Sequence, residues 1–330
     1  MTLDLRKRPH SIITFICIST PILSLIYTRN ILLSTACLVC IAIAVTLYPS
    51  LQDPYGSFHL SLNRPPGADH VLPKSEWLNM GYWKDTDSFP NACEALCLKL
   101  THAAKLAAGD RVLDVGHGSG DSLILLLSHP SIPPLSRLAG ITSLRFHHDR
   151  SAQRIGRRAN PPVTLYLGDA VYHDGDGDHP MEPSPNHPQF DAILALDCAY
   201  HFQTREKFLQ QAFNSLDKGG RIALADICLP RSSSSRSLTS LFVKLKPPFS
   251  RTNMVSIAEY SETMKRIGYQ DVVVEDISTY VFPGFRAFLR SRSIGWRIFE
   301  KVLGLYLNAG ARYIIASGTK PYYSLTTPHE

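Results

Sequence analysis

Residues 112–120 constrain this chain more than any other stretch of its sequence. The run reads Val-Leu-Asp-Val-Gly-His-Gly-Ser-Gly, with glycines at alternate positions, Gly116, Gly118 and Gly120. The apolar run 123–127 follows directly. This order predicts a strand, a tight turn and a helix. Glycine has no side chain and tolerates positive φ, so such a turn lets the backbone approach a bound nucleotide at the carboxyl end of a strand.

Strand and helix patterns alternate from residue 77 onward. The patterns predict strands over 111–115, 137–141, 163–167, 190–196, 221–227, 270–277 and 312–317, and helices over 91–106, 149–159, 204–216 and 256–267. This alternation predicts an α/β fold, with a Rossmann-like, mostly parallel seven-stranded sheet and helices on both faces. The chain has 330 residues, 44% of them hydrophobic, which is enough for one domain with a full core and additional segments.

The N-terminal residues have a different composition. Segments 12–27 and 31–48 contain no charged residue, and Arg29 lies between them. As a helix, the second segment would span roughly 27 Å, close to the bilayer hydrocarbon core of about 30 Å. Burial of Arg29 would cost about 2.5–3.5 kcal/mol, which favours a break there. We therefore expect transmembrane helices over 12–27 and 31–48 within a membrane anchor, 1–48.

The expected anchor also predicts where the remaining chain lies. Residues 49–76 are proline-rich and lack an apolar period, which indicates a linker to a domain over 77–330. The basic residues Arg6, Lys7 and Arg8 favour a cytosolic N-terminus. A two-helix hairpin then keeps the domain in the cytosol, and the endoplasmic reticulum is the favoured membrane. A single span and a cleaved signal peptide are the alternatives.

Charge and cysteine usage exclude other classes of partner. The net charge of +6 is scattered, and the sequence shows no aromatic-basic interleaving of a nucleic-acid platform, so no nucleic acid is expected. Cys93 and Cys97 share a helical face, but no second ligand pair follows at zinc spacing. The alternating aspartates of 174–178 lack the glutamate of a calcium loop, because Pro185 stands at its twelfth position. No metal site and no disulfide framework are predicted.

Two nucleotide-binding patterns compete at the glycine loop. A dinucleotide fingerprint needs Gly-x-Gly-x-x-Gly and an acidic residue about 20 positions later. Here the third glycine comes one position early, and residues 140–143 read Gly-Ile-Thr-Ser without a carboxylate. A nicotinamide-dependent dehydrogenase is therefore the disfavoured alternative.

Three later segments make the pattern more specific. They are Leu-Gly-Asp-Ala at 167–170, Phe-Asp-Ala-Ile-Leu-Ala-Leu-Asp at 190–197 and Leu-Asp-Lys-Gly-Gly-Arg at 216–221. Together with the glycine loop, they resemble the motifs of class I S-adenosylmethionine-dependent methyltransferases over roughly residues 77–320. Thr142 stands where most members carry an acid, and with Gln153 it resembles the tocopherol, sarcosine and macrolide-sugar methyltransferase group.

The resemblance implies S-adenosylmethionine as cofactor and assigns its contacts. Asp114 would organise the loop and bind the ammonium side, Thr142 would meet the ribose, and Asp169 would accept a hydrogen bond from the adenine amine. The complete implied set is Asp114, Gly116, Gly118, Gly120, Thr142, Asp169, Ala170 and Asp197.

The resemblance also implies a catalytic pair. Similar sugar O-methyltransferases have a histidine after the fourth strand and an aspartate at the end of the fifth, here His201 and Asp226. A neutral imidazole held by a carboxylate can remove the proton of an acceptor hydroxyl. The alternative is a histidine that only closes its loop through a backbone hydrogen bond.

Three segments are expected to shape the acceptor pocket: 77–83, 229–253 and 283–308. The last combines aromatic with basic residues, which fits either a lid on the core or an amphipathic helix on an anionic membrane surface. Together with the expected anchor, this predicts a small, lipophilic acceptor, with O-methylation favoured. A non-catalytic membrane scaffold that retains the fold is the second alternative.

Overall fold

The computed structural model describes residues 57–65, 73–156, 160–184, 189–231 and 249–322. The chain divides into two units, residues 1–60 and 61–330. In the first unit the described residues form a single helical turn, Ser57–Leu60. The second unit begins with a 3₁₀ turn, Ser61–Asn63, and contains all the elements below.

A seven-stranded sheet forms the centre of the second unit. Its strand order is β3-β2-β1-β4-β5-β7-β6. Five neighbouring strands are parallel, and β7 runs antiparallel to both β5 and β6. The predicted Rossmann-like, mostly parallel sheet is therefore present. The strands are β1 (Arg111–Val115), β2 (Arg137–Thr142), β3 (Val163–Leu167), β4 (Phe190–Leu196), β5 (Leu216–Cys228), β6 (Gln270–Asp276) and β7 (Arg312–Thr319).

Helices cover both faces of this sheet. Successive strand residues point to opposite faces, so Val112 joins one hydrophobic cluster and Leu113 the other. The helices are α1 (Phe89–Ala103), α2 (Asp121–Ser128), α3 (Arg145–Ile155), α4 (Arg205–Ser215), α5 (Ile257–Ile267), α6 (Ser278–Arg290) and α7 (Ile294–Asn308).

Helix ends follow local capping chemistry. The Ser256 side chain accepts the Glu259 N–H, the Glu259 side chain accepts the Ser256 N–H, and Gly268 ends α5 in the left-handed region. Helix α3 begins at Arg145, four residues before its predicted start, and stops at Gly156, where φ is 72°. The predicted end at residue 159 therefore extended this helix past the glycine that terminates it.

The expected transmembrane helices and membrane localisation are contradicted. In the part of the chain that the structure describes, no helix is long and apolar enough to cross a membrane. The longest helices there, α1 and α7, have 15 residues and would rise only about 22 Å. Segments 12–27 and 31–48 lie outside the described residues. The finding on the described helices overturns both the expected transmembrane helices and the expected place at the endoplasmic reticulum membrane.

Candidate functional site

The glycine loop connects β1 to α2 with three residues at positive φ. These angles are 77° at Gly116, 54° at Gly118 and 95° at Gly120. A Cβ at Gly116 would lie 2.6 Å from Cys198 Sγ, and one at Gly118 would lie 2.9 Å from Leu78 Cδ1. The glycines therefore allow neighbouring segments to close tightly onto the loop.

Asp114 joins the end of β1 to the first turn of α2. Its side chain is buried, and its Oδ2 accepts a hydrogen bond from the Ser122 hydroxyl. Burial raises the pKa of Asp114 to about 7, although the Ser122 hydrogen bond opposes the shift. This contact fits the loop-organising role that the sequence predicts for Asp114.

His117 lies inside the loop and packs against β2. Its side chain is buried, and Nδ1 lies 3.0 Å from the Gly118 carbonyl oxygen, which requires the proton on Nδ1. Burial lowers the pKa of His117 to about 4. The neutral ring is therefore a packing element of the loop.

The remaining predicted cofactor residues follow neighbouring strands. Thr142 ends β2 and is buried, and its carbonyl oxygen accepts the Gly168 N–H at 3.1 Å. Asp169 follows β3, and its Oδ1 accepts the Val171 N–H at 2.8 Å. Ala170 is buried beside it. Since β3, β2, β1 and β4 are adjacent and parallel, their carboxyl ends meet at one edge of the sheet.

Asp197 follows β4 at the same edge. Its backbone has a φ of 56°, which is uncommon for a residue with a side chain. Its Oδ2 accepts the Met80 N–H at 2.7 Å, and its own N–H donates to the Ala225 carbonyl at 2.8 Å. Burial raises the pKa of Asp197 to about 7.

Residues 75–83, which we call the strap, include the predicted acceptor segment 77–83 and bind residues at this edge through Glu76 and Met80. The Glu76 N–H donates to both oxygens of Asp121, at 3.2 and 3.1 Å, and Arg154 binds the same carboxylate at 2.6 and 2.9 Å. Arg150 pairs with the Glu76 carboxylate. An acid directly after the third glycine was the only signal for this network. Part of the strap falls within the predicted linker, 49–76.

The arrangement fits the cofactor that the resemblance implies. S-adenosylmethionine carries donors on its ammonium, ribose and adenine groups. The edge presents acceptors in the matching order: Asp114 in the last two residues of β1, Thr142 at the end of β2 and Asp169 after β3. The loop N–H groups before α2 suit its carboxylate. The donor and acceptor sets are therefore complementary.

His201 lies in a short 3₁₀ turn, Ala199–His201, directly after β4. Its N–H donates to the Cys198 carbonyl at 2.9 Å, and its ring centroid lies 4.2 Å from that of Tyr200. The side chain reaches the surface, but the atoms crowded around it lower the pKa of His201 to about 4. The imidazole is therefore neutral at pH 7.

Asp226 is fully buried next to this turn. Its Oδ1 accepts the Ile227 N–H at 2.8 Å, and its Oδ2 accepts the Tyr260 hydroxyl at 3.1 Å. Arg205 Nε lies 2.8 Å from Oδ2. Burial raises the pKa of Asp226, although the Arg205 charge opposes the shift. The structure thus brings Asp226 together with Arg205 and Tyr260, a network the sequence did not predict.

Two of the three predicted acceptor segments line a cavity of about 630 Å³. Trp83, Phe89 and Phe288 contribute aromatic walls, with ring centroids of Phe89 and Phe288 5.3 Å apart. Among the described residues that line this cavity, none belongs to the predicted cofactor or catalytic set. In the third segment, residues 232–248 lie outside the described residues.

The basic residues of 283–308 are partly neutralised within the fold. Glu300 is fully buried, and its Oε1 lies 2.7 Å from Arg286 and 3.1 Å from Arg290. Trp296 and Phe285 are buried in the core beneath them. These contacts favour the lid alternative for this segment over a helix on a membrane surface.

Comparisons with known proteins match this geometry. A family model described as "Methyltransferase domain" matches residues 88–274. The chain is 28% identical over 213 residues to 27-O-demethylrifamycin SV methyltransferase of Amycolatopsis mediterranei, covering 64% of this chain and 72% of the relative. It is 29% identical over 221 residues to erythromycin 3''-O-methyltransferase of Saccharopolyspora erythraea, covering 63% and 67%. The crystal structure of the [4+2]-cyclase SpnF has a similar fold, with a TM-score of 0.58 at 19% identity, covering 86% of this chain and 95% of SpnF.

Proposed function

This chain belongs to the methyltransferase-domain family, and from that premise we propose that it methylates a hydroxyl of a small, lipophilic acceptor, with His201 as the general base. Its methyl donor is S-adenosylmethionine, which excludes the nicotinamide-dependent alternative. The proposal concerns the acceptor, the methylated atom and the role of His201.

The observation that carries the proposal is the place of His201. It follows β4 at the sheet edge where the predicted cofactor residues meet, and it is neutral at pH 7 because desolvation lowers its pKa to about 4. A neutral imidazole can accept the hydroxyl proton as the acceptor oxygen bonds to the methyl group. The bound cofactor supplies an activated methyl group on a sulfonium, so the main task of the protein is alignment.

Other residues of the chain support that alignment. Asp114 holds the loop against α2 through Ser122, and Asp197 holds the strap through Met80. A closed strap keeps water away from the reacting groups. These contacts position the donor side of the reaction, while His201 serves the acceptor side.

A lipophilic acceptor is supported by the aromatic side chains of the predicted acceptor segments. Trp83 and Phe288 line the cavity of about 630 Å³, which lies within the usual range for small-molecule sites. Tyr200, beside His201, packs on Phe249 with ring centroids 5.6 Å apart. Two relatives are named for O-methylation of a rifamycin and of erythromycin, which favours oxygen as the methylated atom.

Mass spectrometry of the full chain with S-adenosylmethionine and a panel of hydroxylated polyketides tests the proposal. We expect one acceptor class to gain the mass of a CH₂ unit, and amine or thiol analogues of that acceptor to remain unmodified.

The His201→Ala variant should lose most turnover and keep its affinity for S-adenosylhomocysteine. A product isomeric with the acceptor, with no methyl gained, would instead indicate a cyclisation. Undiminished turnover of His201→Ala would exclude it as the base.

A further inference from the structure

The buried side chain of Asn253 forms hydrogen bonds with the backbone of the turn that carries His201. Asn253 ends the 3₁₀ turn Arg251–Asn253 and is 1% exposed. Its Nδ2 donates to the Tyr200 carbonyl at 3.0 Å and to the Phe202 carbonyl at 2.6 Å. These two carbonyls flank His201 on both sides, so both amide hydrogens of Asn253 bind the backbone that presents the imidazole.

Arg205, one partner of a buried ion pair, binds Asn253. The Asn253 Oδ1 accepts the backbone N–H of Arg205 at 2.8 Å, and the Asn253 carbonyl oxygen accepts from Arg205 Nη1 at 2.9 Å. The same guanidinium donates to the Ile227 carbonyl at 3.0 Å and pairs with Asp226. Arg205 and Asp226 are both buried, so losing either partner would leave an uncompensated charge in the core.

We propose that Asn253 is the positioning residue of His201, and that Asp226 supports the same turn through Arg205 and Asn253 as well as through its direct hydrogen bond with the Tyr200 backbone. This inference rests on the proposed role of His201 as the base. It gives Asp226 a different role from the one that the resemblance implies, since its two oxygens bind Ile227, Tyr260, Arg205 and the Tyr200 backbone.

The position of Asn253 along the chain adds a coupling to the acceptor side. Asn253 is the last residue of the predicted acceptor segment 229–253, and Phe249 of that segment packs on Tyr200. Phe249 and Asn253, at the described C-terminal end of this segment, therefore contact the His201 turn through one aromatic contact and two hydrogen bonds.

The test uses nuclear magnetic resonance of the histidine side chains in the full chain, with the His201 signal assigned by its loss in His201→Ala. The variant Asn253→Leu keeps the approximate volume, adds no charge and deletes both hydrogen bonds to the turn. We expect the pKa of His201 to rise by at least about half a unit toward its ordinary value of about 6.5, because the released turn is better hydrated. Affinity for S-adenosylhomocysteine should stay within about threefold.

Asn63→Leu is the matched control. Asn63 is also buried and binds backbone through its amide, but at Trp77. It should lower the melting temperature and leave the His201 pKa unchanged. If Asn253→Leu does not fold, Arg205→Lys keeps the charge beside Asp226 and removes the hydrogen bond to the Asn253 carbonyl, with the same expected rise.

An unchanged His201 pKa in a folded Asn253→Leu or Arg205→Lys variant would overturn the inference. This result is independent of methyl transfer, because the measurement needs no acceptor. If His201→Ala loses turnover while the pKa does not move in Asn253→Leu, the proposed function stands and only the positioning role fails.

Discussion

The imidazole of His117 occupies the space directly above Gly140. A Cβ at Gly140 would lie 2.7 Å from His117 Cδ2, so no other amino acid fits there without displacing the ring. Gly140 lies inside β2, where glycine is otherwise unfavourable. The glycine loop therefore takes its shape from the neighbouring strand as well as from its own three glycines.

Gly140→Ala should weaken cofactor binding without touching the cofactor. The added methyl group pushes His117 and the loop outward, at a cost of about 1–3 kcal/mol for overpacking. We expect roughly tenfold or greater loss of affinity for S-adenosylhomocysteine in calorimetry, which corresponds to about 1.4 kcal/mol. Gly304→Ala is the control, because its Cβ would meet only the flexible end of Arg286, at 3.1 Å. Equal affinities in the two variants would contradict this role of His117.

Asp114→Ala should abolish detectable cofactor binding. The substitution removes the carboxylate and leaves the buried Ser122 hydroxyl unpaired, which costs about 1–3 kcal/mol. Ser122→Ala removes the same hydrogen bond but keeps the carboxylate. A smaller loss of affinity in Ser122→Ala than in Asp114→Ala would show that the Asp114 carboxylate contributes to cofactor binding beyond its hydrogen bond with Ser122. Retained affinity in Asp114→Ala would remove Asp114 from the cofactor site.

The contribution of Asp114 and Asp197 to stability without cofactor should fall as the pH rises from about 4 toward about 7. The lowered pKa values of His117 and His201 act in the opposite direction over the same range, so the carboxyl contribution is isolated by comparing variants. The pKa values of Asp114 and Asp197 are raised to about 7 in the folded protein, against about 3.9 in an unfolded chain. A raised carboxyl pKa contributes stability that is complete below the unfolded value and is lost as pH rises through the folded value. Melting temperatures of the unchanged chain and of Asp114→Asn, compared across this range, measure the Asp114 part of the loss. The unchanged chain should lose stability relative to Asp114→Asn as the pH rises, and a constant difference between the two would contradict the raised pKa of Asp114.

Turnover should fall only at acidic pH. The base must be neutral, and the pKa of His201 is lowered to about 4, so protonation removes activity as pH drops toward that value. A single-turnover pH profile measured once the acceptor is known gives this pKa directly. A midpoint near the ordinary histidine value of about 6.5 would show that His201 is solvated during reaction.

Glu76→Gln should speed dissociation of S-adenosylhomocysteine by loosening the strap. The buried Glu76 carboxylate pairs with Arg150 next to the Asp121–Arg154 pair, and the substitution removes its charge while keeping its size. Stopped-flow measurement of release tests this. Glu206→Gln removes an exposed ion pair with Arg266 and should change nothing, because such pairs contribute about 0–1 kcal/mol. Equal release rates would mean that the strap does not gate the cofactor.

Local sequence patterns predicted the strands well. Arg111–Val115, Val163–Leu167 and Phe190–Leu196 begin and end at the predicted residues. Buried parallel strands are short apolar runs bounded by polar or glycine residues, so the residues that flank each run indicate where the strand begins and ends. Helix α3 was less well predicted: it begins four residues early, at Arg145, and it packs against β2 and β3.

The sequence by itself determined which residues lie at the carboxyl end of each strand, and it predicted that the cofactor binds at this edge of the sheet. Chain order and parallel pairing suffice for that result, because the carboxyl ends of neighbouring strands must meet. Only the tertiary structure decided the partners of those residues. Asn253 reaches Tyr200 across 53 positions, and Asp121 accepts the Glu76 N–H across 45. Such contacts depend on how loops pack over the sheet, and no local pattern encodes the distance between two segments far apart in the chain.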